Sequence, residues 1–290
     1  MRRVAIAKDT LKILESGCYQ TPSGTHIDVS SEIRTCLQQT QPYTPDELSA
    51  IEQEILSHPP LFCATHFEVK NETTLTGAKR MAESGEFKKI GVLNFASAKN
   101  PGGGFLGGAQ AQEESLARSS ALYPSLLRCP QHYEFHRANR SLLYSHRIIY
   151  SPHCPVFKTD NGTLLEQPYF VDFITSPAPN AGAVARNQTK SVRDIPQVLR
   201  DRAGKVLALA AHHGCDALVL GAWGCGVFRN DPAMVAQTFA ESLLPDGQFG
   251  GRFKSVLFSV LDSTKKRRVF SEFDRRFIAH FKDERNNSEY

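Results

Sequence analysis

Twice along this chain an apolar strand runs into a glycine-rich turn and then a helix, and that succession restricts the fold more than any other feature. The longer copy begins with residues 90–95 (IGVLNF), a short apolar strand. A loop with Pro101 and five glycines follows, and from about Ala111 the pattern turns helical, with Glu113 and Glu114 adjacent in the first turn. Strand, glycine loop and helix N-terminus together let backbone N–H groups approach a phosphate, while the helix dipole favours its charge. Gly102, Gly103 and Gly104 remove every Cβ over three positions, so a ligand can lie directly against the main chain. Acids at the mouth of such a loop point to chemistry on something attached to the phosphate.

The shorter copy runs from residues 217–220 (ALVL) into GAWGCGVF. Gly224 and Gly226 offer close-approaching amides for a second phosphate. Their G-x-x-G-x-G order is not the dinucleotide fingerprint, and no Walker sequence occurs in the chain. Alone, such a turn is more often a packing device. In open α/β sheets, however, ligands bind outside the strand C-termini, and both turns belong there.

The remaining pattern alternates strands with helices. Residues 62–69, 90–95, 147–150, 170–175, 217–220 and 256–260 read as strands. Helices are expected over residues 74–82, 112–127, 194–213 and 270–281, with another opening at Asp231-Pro232. Such alternation argues for an α/β fold with a mostly parallel, helix-covered sheet. Residues 1–60 read as an accessory region without chemistry of its own. It holds a helix ending at Gly17, a hairpin around Pro22-Ser23-Gly24, a helix capped by Ser30-Ser31, and one opened by Thr44-Pro45. Residues 283–290 are a polar tail.

The 34 basic and 30 acidic residues leave a net charge of +4, without long basic blocks, which suits an anionic ligand but does not argue for a DNA-binding surface. Seven cysteines without a C-x-x-C pair suggest reduced thiols rather than a disulfide framework or zinc ribbon. No stretch approaches the ~20 apolar residues of a membrane span, and the N-terminus lacks the apolar core of a signal peptide. A cytoplasmic protein without membrane contact is expected.

GGG, seven residues and then Gln112-Glu113-Glu114 resembles the signature of poly(ADP-ribose) glycohydrolases, a branch of the macrodomain fold. The flanking Asn94-Phe95-Ala96, the run PGGGFLGGA and the RSSALY segment (118–123) are similar to its compact bacterial-type members. The resemblance implies a macrodomain-like three-layer α/β/α core over residues 61–290, with residues 1–60 packed on it as an N-terminal helical extension. It implies poly(ADP-ribose) or ADP-ribose as ligand and ADP-ribosylated proteins as substrates. A monomer with no metal or other cofactor is expected.

By matching positions in the family motif, Glu114 is the catalytic acid, Glu113 grips ribose hydroxyls, and Gln112 helps orient the acid. Cleavage of a ribose-to-ribose link passes through an oxocarbenium-like state, so the leaving 2′-hydroxyl needs a proton and the incoming water must lose one. Adjacent helical residues point about 100° apart, so the two acids take separate tasks. The two glycine loops flank the diphosphate, and Phe228, after Val227, packs on the ribose and adenine portion. Phe105 is a weaker candidate for the same cleft. Asn94 either bonds a ribose hydroxyl or ties down the loop. Two rival functions stay open: a macrodomain that binds ADP-ribose without cleaving it, and a hydrolase of mono-ADP-ribosylated protein, nucleic acid or metabolite.

Other candidates carry less. His132 and His136 have the spacing of a zinc pair, but HYEFH lacks the glutamate of H-E-x-x-H and a third ligand, so solvated or hydrogen-bonded rings are expected. His212-His213 are expected to complement a helix C-terminus. Nothing near Cys225 marks it as a nucleophile, and the KKRR run (265–268) reads as a solvated turn with at most a weak pull on a polyanion.

Overall fold

The computed structural model describes residues 2–279. The expected end of the last helix and the polar tail, residues 280–290, lie outside the described residues.

The chain opens with α1 (Arg2–Ser16), closed by Gly17 in the left-handed region, and the hairpin β1 (Cys18–Gln20) and β2 (His26–Asp28). Helix α2 (Ser30–Gln39) starts after Val29, and no serine caps it through its side chain; instead Asp28 Oδ1 accepts from Ser30 N. A short strand that the periodicity does not announce, β3 (Gln41–Tyr43), precedes α3 (Pro45–Ser57), which opens with a reciprocal cap between Thr44 and Glu47. Then come β4 (His66–Lys70), α4 (Thr74–Ser84) capped by Thr73, and β5 (Ile90–Phe95).

After the glycine loop the expected single helix over 112–127 divides into α5 (Gln112–Ser119) and α6 (Leu122–Leu126). Pro124 explains the break, because its ring would clash with the carbonyl of Ser120 in a continuous helix. Ser120 turns extended and bridges Val156. The polar stretch that follows holds a further helix, α7 (Pro130–Ala138). Strands β6 (Ile148–Lys158) and β7 (Leu164–Ser176) form a hairpin much longer than the expected strands. Next are α8 (Ala181–Asn187), α9 (Ile195–His212), β8 (Ala217–Leu220), α10 (Pro232–Leu243), β9 (Ser255–Ser259) and α11 (Arg268–Asp274), which runs on into a π turn (Arg275–Ala279).

Seven strands form one mixed sheet in the order β3-β6-β7-β5-β8-β9-β4. From β7 to β4 all neighbours are parallel; β6 alone runs the other way, paired antiparallel to both β7 and β3. The sheet is covered on both faces, which is the expected three-layer α/β/α arrangement. One face packs on α3, α9, α10 and α11 through residues such as Leu48, Leu207 and Phe239. The other packs on α1, α2, α4 and α5–α7 through Ile13, Leu75, Leu116 and Tyr133. Alternation along β5 sends Val92 to one core and Leu93 to the other.

The first 60 residues meet the rest through α1, α2, β3 and α3, with α2 lying against β6. β3 pairs along β6 at the edge of the sheet, α3 packs on α9, and α1 packs on the glycine loop and α5. The last contact bears on function. Ala7 and Leu11 share a small core with Phe105, Ala117 and Tyr123. Below them Lys158, fully buried, reaches Asp9 (2.8 Å) and donates to Thr10 Oγ1 (2.8 Å), which itself donates to the Arg118 carbonyl.

Candidate active site

Strands β5 and β8 pair only as far as Val92 and Val219, then part. Gln112 fills the resulting gap. Its Nε2 donates to Leu93 O (2.8 Å) and its Oε1 accepts from Phe95 N (2.9 Å). That is the pair of bonds a parallel-strand residue opposite Asn94 would make. Gln112 therefore pins the first turn of α5 to the end of β5, and its amide is spent on these bonds and on Thr74 Oγ1, 3.2 Å from Nε2. The sequence reading gave it the task of orienting the acid; in the structure its bonds go to Leu93 O, Phe95 N and Thr74 Oγ1, and none goes to Glu114.

With the turn so fixed, the two acids diverge as adjacent helical positions must. Glu113 points inward and is 3% exposed. Its Oε2 accepts from Ser97 N (2.6 Å), and its Oε1 lies 3.4 Å from Asn94 Nδ2. Burial pushes its carboxyl up to about 8, against the lowering pull of the Ser97 and Asn94 donors and with the Glu114 charge adding to the rise. Glu113 is thus mostly protonated at pH 7. Glu114 lies half-buried at the loop. Its Oε1 accepts from Gly104 N (3.0 Å), and its second oxygen has no hydrogen-bond partner among the described residues.

The glycines divide the work of bringing both acids to one place. Gly103, with φ +60°, lies against them: a Cβ there would come within 2.9 Å of Glu114 Cδ and 3.3 Å of Glu113 Oε2. Gly102 is backed by Phe105 and Tyr123, and Gly104 by Ala109. Phe105 itself does not line the cleft. It is 1% exposed and packs against Tyr123 with the rings tilted and their centroids 4.7 Å apart, because the turn after Gly104 directs it into the small core under α1. Asn94 is buried beside Glu113, with Nδ2 3.2 Å from Thr175 Oγ1 and Oδ1 unpartnered.

The second glycine turn starts from β8, the neighbour of β5. A Cβ on Gly221 would lie 3.1 Å from the Phe95 ring, so the two loops rise side by side. Gly224, with φ +71°, is a packing glycine against Ala178 and Asn230. Trp223 anchors the turn from below by donating to Ser176 O (2.9 Å), and Asn230 Nδ2 ties it to Pro179 O (2.8 Å). Gly226 faces open space, and the amides of Gly226, Val227 and Phe228 donate to no acceptor among the described residues. Val227 is 79% exposed, and Phe228 is half-buried against Tyr144, with ring centroids 5.9 Å apart. Three unpaired amides with an exposed aliphatic and an aromatic side chain suit an anion joined to a flat, partly apolar group.

Ser97, Thr175 and Tyr144 complete this geometry and escaped the sequence reading; each arrives from a loop or strand end that no spacing links to the acids. The lesser candidates resolve as follows. His132 and His136 are both buried rather than solvated. Burial lowers them to about 3 and about 4, and His136 meets Ser145 Oγ at 2.9 Å. His213 does not complement the helix by charge: it stacks on Tyr150 at 3.6 Å, and burial pushes it down to about 4. Burial raises the Cys225 thiol to about 12. Among the described residues no group of three or more His, Cys, Asp and Glu is placed to hold a metal ion, and no helix is long and apolar enough to cross a membrane.

The chain resembles known proteins over most of its length. The model of the microbial-type PARG catalytic domain matches residues 7–159. The poly(ADP-ribose) glycohydrolase of Thermomonospora curvata is 49% identical; the alignment covers 95% of this chain and 99% of that one, with a TM-score of 0.90. Its form bound to the inhibitor ADP-HPD superposes with a TM-score of 0.88. The enzyme of Deinococcus radiodurans in complex with ADP-ribose is 43% identical, over 86% of this chain and 97% of that one, with a TM-score of 0.79. No match is found among curated proteins. A family model over more than half the chain, and near-full-length relatives at almost half identity, settle its membership: the chain belongs to the microbial-type poly(ADP-ribose) glycohydrolases.

Proposed function

We propose that the protein hydrolyses the ribose-to-ribose bonds of poly(ADP-ribose), with Glu114 as the acid and base of the reaction. The carrying observation is the asymmetry of the acid pair. Glu113 is enclosed and bonded on both oxygens, whereas Glu114 is held through one oxygen by the Gly104 amide and, among the described residues, keeps the other unpaired. A group that must donate a proton and later take one from water needs such a free oxygen. Glu114 donates to the leaving 2′-oxygen as the anomeric bond breaks. It then removes a proton from the water that attacks the same carbon, returning to its starting form.

Glu113 and Asn94 face each other beneath this point and grip the hydroxyls of the ribose being cut. A protonated Glu113 can donate to a hydroxyl as well as accept from it. The main chain at Gly102, Gly103 and Gly104 and the free amides at Gly226, Val227 and Phe228 flank the diphosphate from two sides. Phe228, braced by Tyr144, packs on the adenosine ribose with Val227 beside it. ADP-ribose is therefore the bound unit, and ADP-ribosylated proteins carry the substrate. Residues 1–60 act as part of the catalytic body, because α1 backs the glycine loop and β3 extends the sheet. The protein acts as a monomer in the cytoplasm and uses no metal.

Asparagine at position 94 tests the gripping role. Asn94→Ala removes a donor to Glu113 and a ribose partner together, so kcat should fall by roughly ten- to a hundredfold. An unchanged kcat on poly(ADP-ribose) would remove Asn94 from the site.

A further inference from the structure

A surplus of positive charge lies on one side of the cleft. Four segments meet there: residues 97–101 of the first loop, 137–145 before β6, 180–194 through α8, and 226–231 of the second turn. Arg137 Nη1 donates to Lys99 O (2.8 Å), which ties the end of α7 to the loop that leads to the acids. The stem of Arg229 lies across Gly182, with its Cδ 3.0 Å from where a Cβ would stand, and Gly182 N donates to Phe228 O (2.9 Å). Gln188 joins the third segment to the second by donating to Arg140 O (2.8 Å) and accepting from Leu142 N (2.9 Å). Arg186, Lys190 and Arg193 carry the strip onward, all exposed. The last two border a shallow depression that they share with Thr189 and Val192.

These segments contain seven Lys and Arg and two acids, Asp194 and Asp231. Their surplus of five exceeds the net charge of +4 of the whole chain, so the remainder is close to neutral. Of the two acids, Asp194 lies 3.8 Å from Arg193 and Asp231 caps α10, so five cations remain in excess. A solvated face would carry both signs in comparable numbers. This one does not, and it begins at both loops of the proposed site.

Resting on the glycohydrolase reading above, we infer that this strip is the track for the rest of the polymer, the poly(ADP-ribose) units that lie outside the cleft holding the bound ADP-ribose. Each further unit brings a diphosphate. A row of arginines matches phosphates by paired N–H donors, and the depression with exposed Val192 offers a nucleoside somewhere to rest. The strip acts on long substrates and leaves the chemistry untouched.

The triple variant Arg186→Gln/Lys190→Gln/Arg193→Gln tests this, because its residues are exposed and none of them bonds to Glu114. kcat/KM is measured on di(ADP-ribose) and on long poly(ADP-ribose) across a salt series. For the native protein, kcat/KM on the long polymer should fall with salt. In the variant it should drop about tenfold at low salt with a shallower salt dependence, while kcat/KM on the dimer stays within about twofold of native. Equal loss on both substrates, or no loss on the long polymer, overturns the track. If the native protein releases ADP-ribose from neither substrate, the glycohydrolase reading fails and the track with it. Loss of binding to a single-stranded RNA 20-mer with unchanged polymer turnover also overturns it and assigns the strip to nucleic acid.

Discussion

Gly103 lies flat against the Glu114 carboxylate: a Cβ at that position would stand 2.9 Å from Glu114 Cδ and closer still to Oε1. The same glycine has φ +60°, where a side chain is strained whatever space it finds. Gly103→Ala should therefore cost about 1 kcal/mol in stability from the backbone alone. It should displace the acid as well, reducing kcat by a factor of about 100. Melting and turnover assays on one preparation separate the two effects. A variant with native kcat would show that Glu114 does not need that place.

Gln112 stands in for a strand that has turned away. Gln112→Ala leaves Leu93 O and Phe95 N without partners at the end of a central strand, at a cost of about 1–3 kcal/mol per buried group. The melting temperature should fall by several degrees. Activity should fall with it, since the first turn of α5 is no longer pinned. Unchanged melting would mean that water or β8 replaces the amide without loss.

How much of this was legible in the sequence depends on how local each cause is. The acids, the glycine loop and the strand before them lie within 25 residues, and their order alone located them. The roles within the site were less visible. Gln112 reads as part of a catalytic signature, yet its bonds depend on β5 and β8 parting, which no window of sequence contains. Phe105 follows three glycines and reads as a cleft residue, but it is drawn into a core that α1 supplies from far away in the sequence, through Ala7 and Leu11. β3 is three residues long with a proline in it, too short for any periodicity, and exists because β6 leaves an edge to pair with. Pro124 breaks the expected helix over 112–127 by a purely local rule, one that the helical pattern on either side of it masks. The basic strip draws on four separate segments, so composition showed only its total.

Glu113 makes stability depend on pH in a definite direction. Its folded value of about 8 lies above the ordinary value of 4.5. Between those limits the folded protein holds a proton that the unfolded chain has lost, so folding is favoured most below about 4.5 and the advantage is lost as pH rises towards 8. This group alone should lower stability by about 1 kcal/mol per pH unit across the window. Glu113→Gln should flatten that slope, as denaturant midpoints at pH 6, 7, 8 and 9 will show. Parallel slopes for the two proteins would mean that Glu113 is ionised throughout.

Lys158 holds α1 against the loop through Asp9 and Thr10. Lys158→Met keeps most of the buried stem but removes the charge. Amide exchange over residues 2–16 should then quicken by about tenfold or more, ahead of any change in the sheet. Exchange that stays at the native rate would show that the apolar contacts of Ala7 and Leu11 suffice.

The central claim is that Glu114 cuts and the rest of the site holds. Product analysis of poly(ADP-ribose) incubated with native protein and with Glu114→Gln, alongside ADP-ribose binding by both, tests it most directly. Release of ADP-ribose by the native protein alone, with binding retained in the variant, is the predicted result. Product from both at similar rates would contradict the assignment of the acid. Binding by both with no product from either would contradict the glycohydrolase account itself.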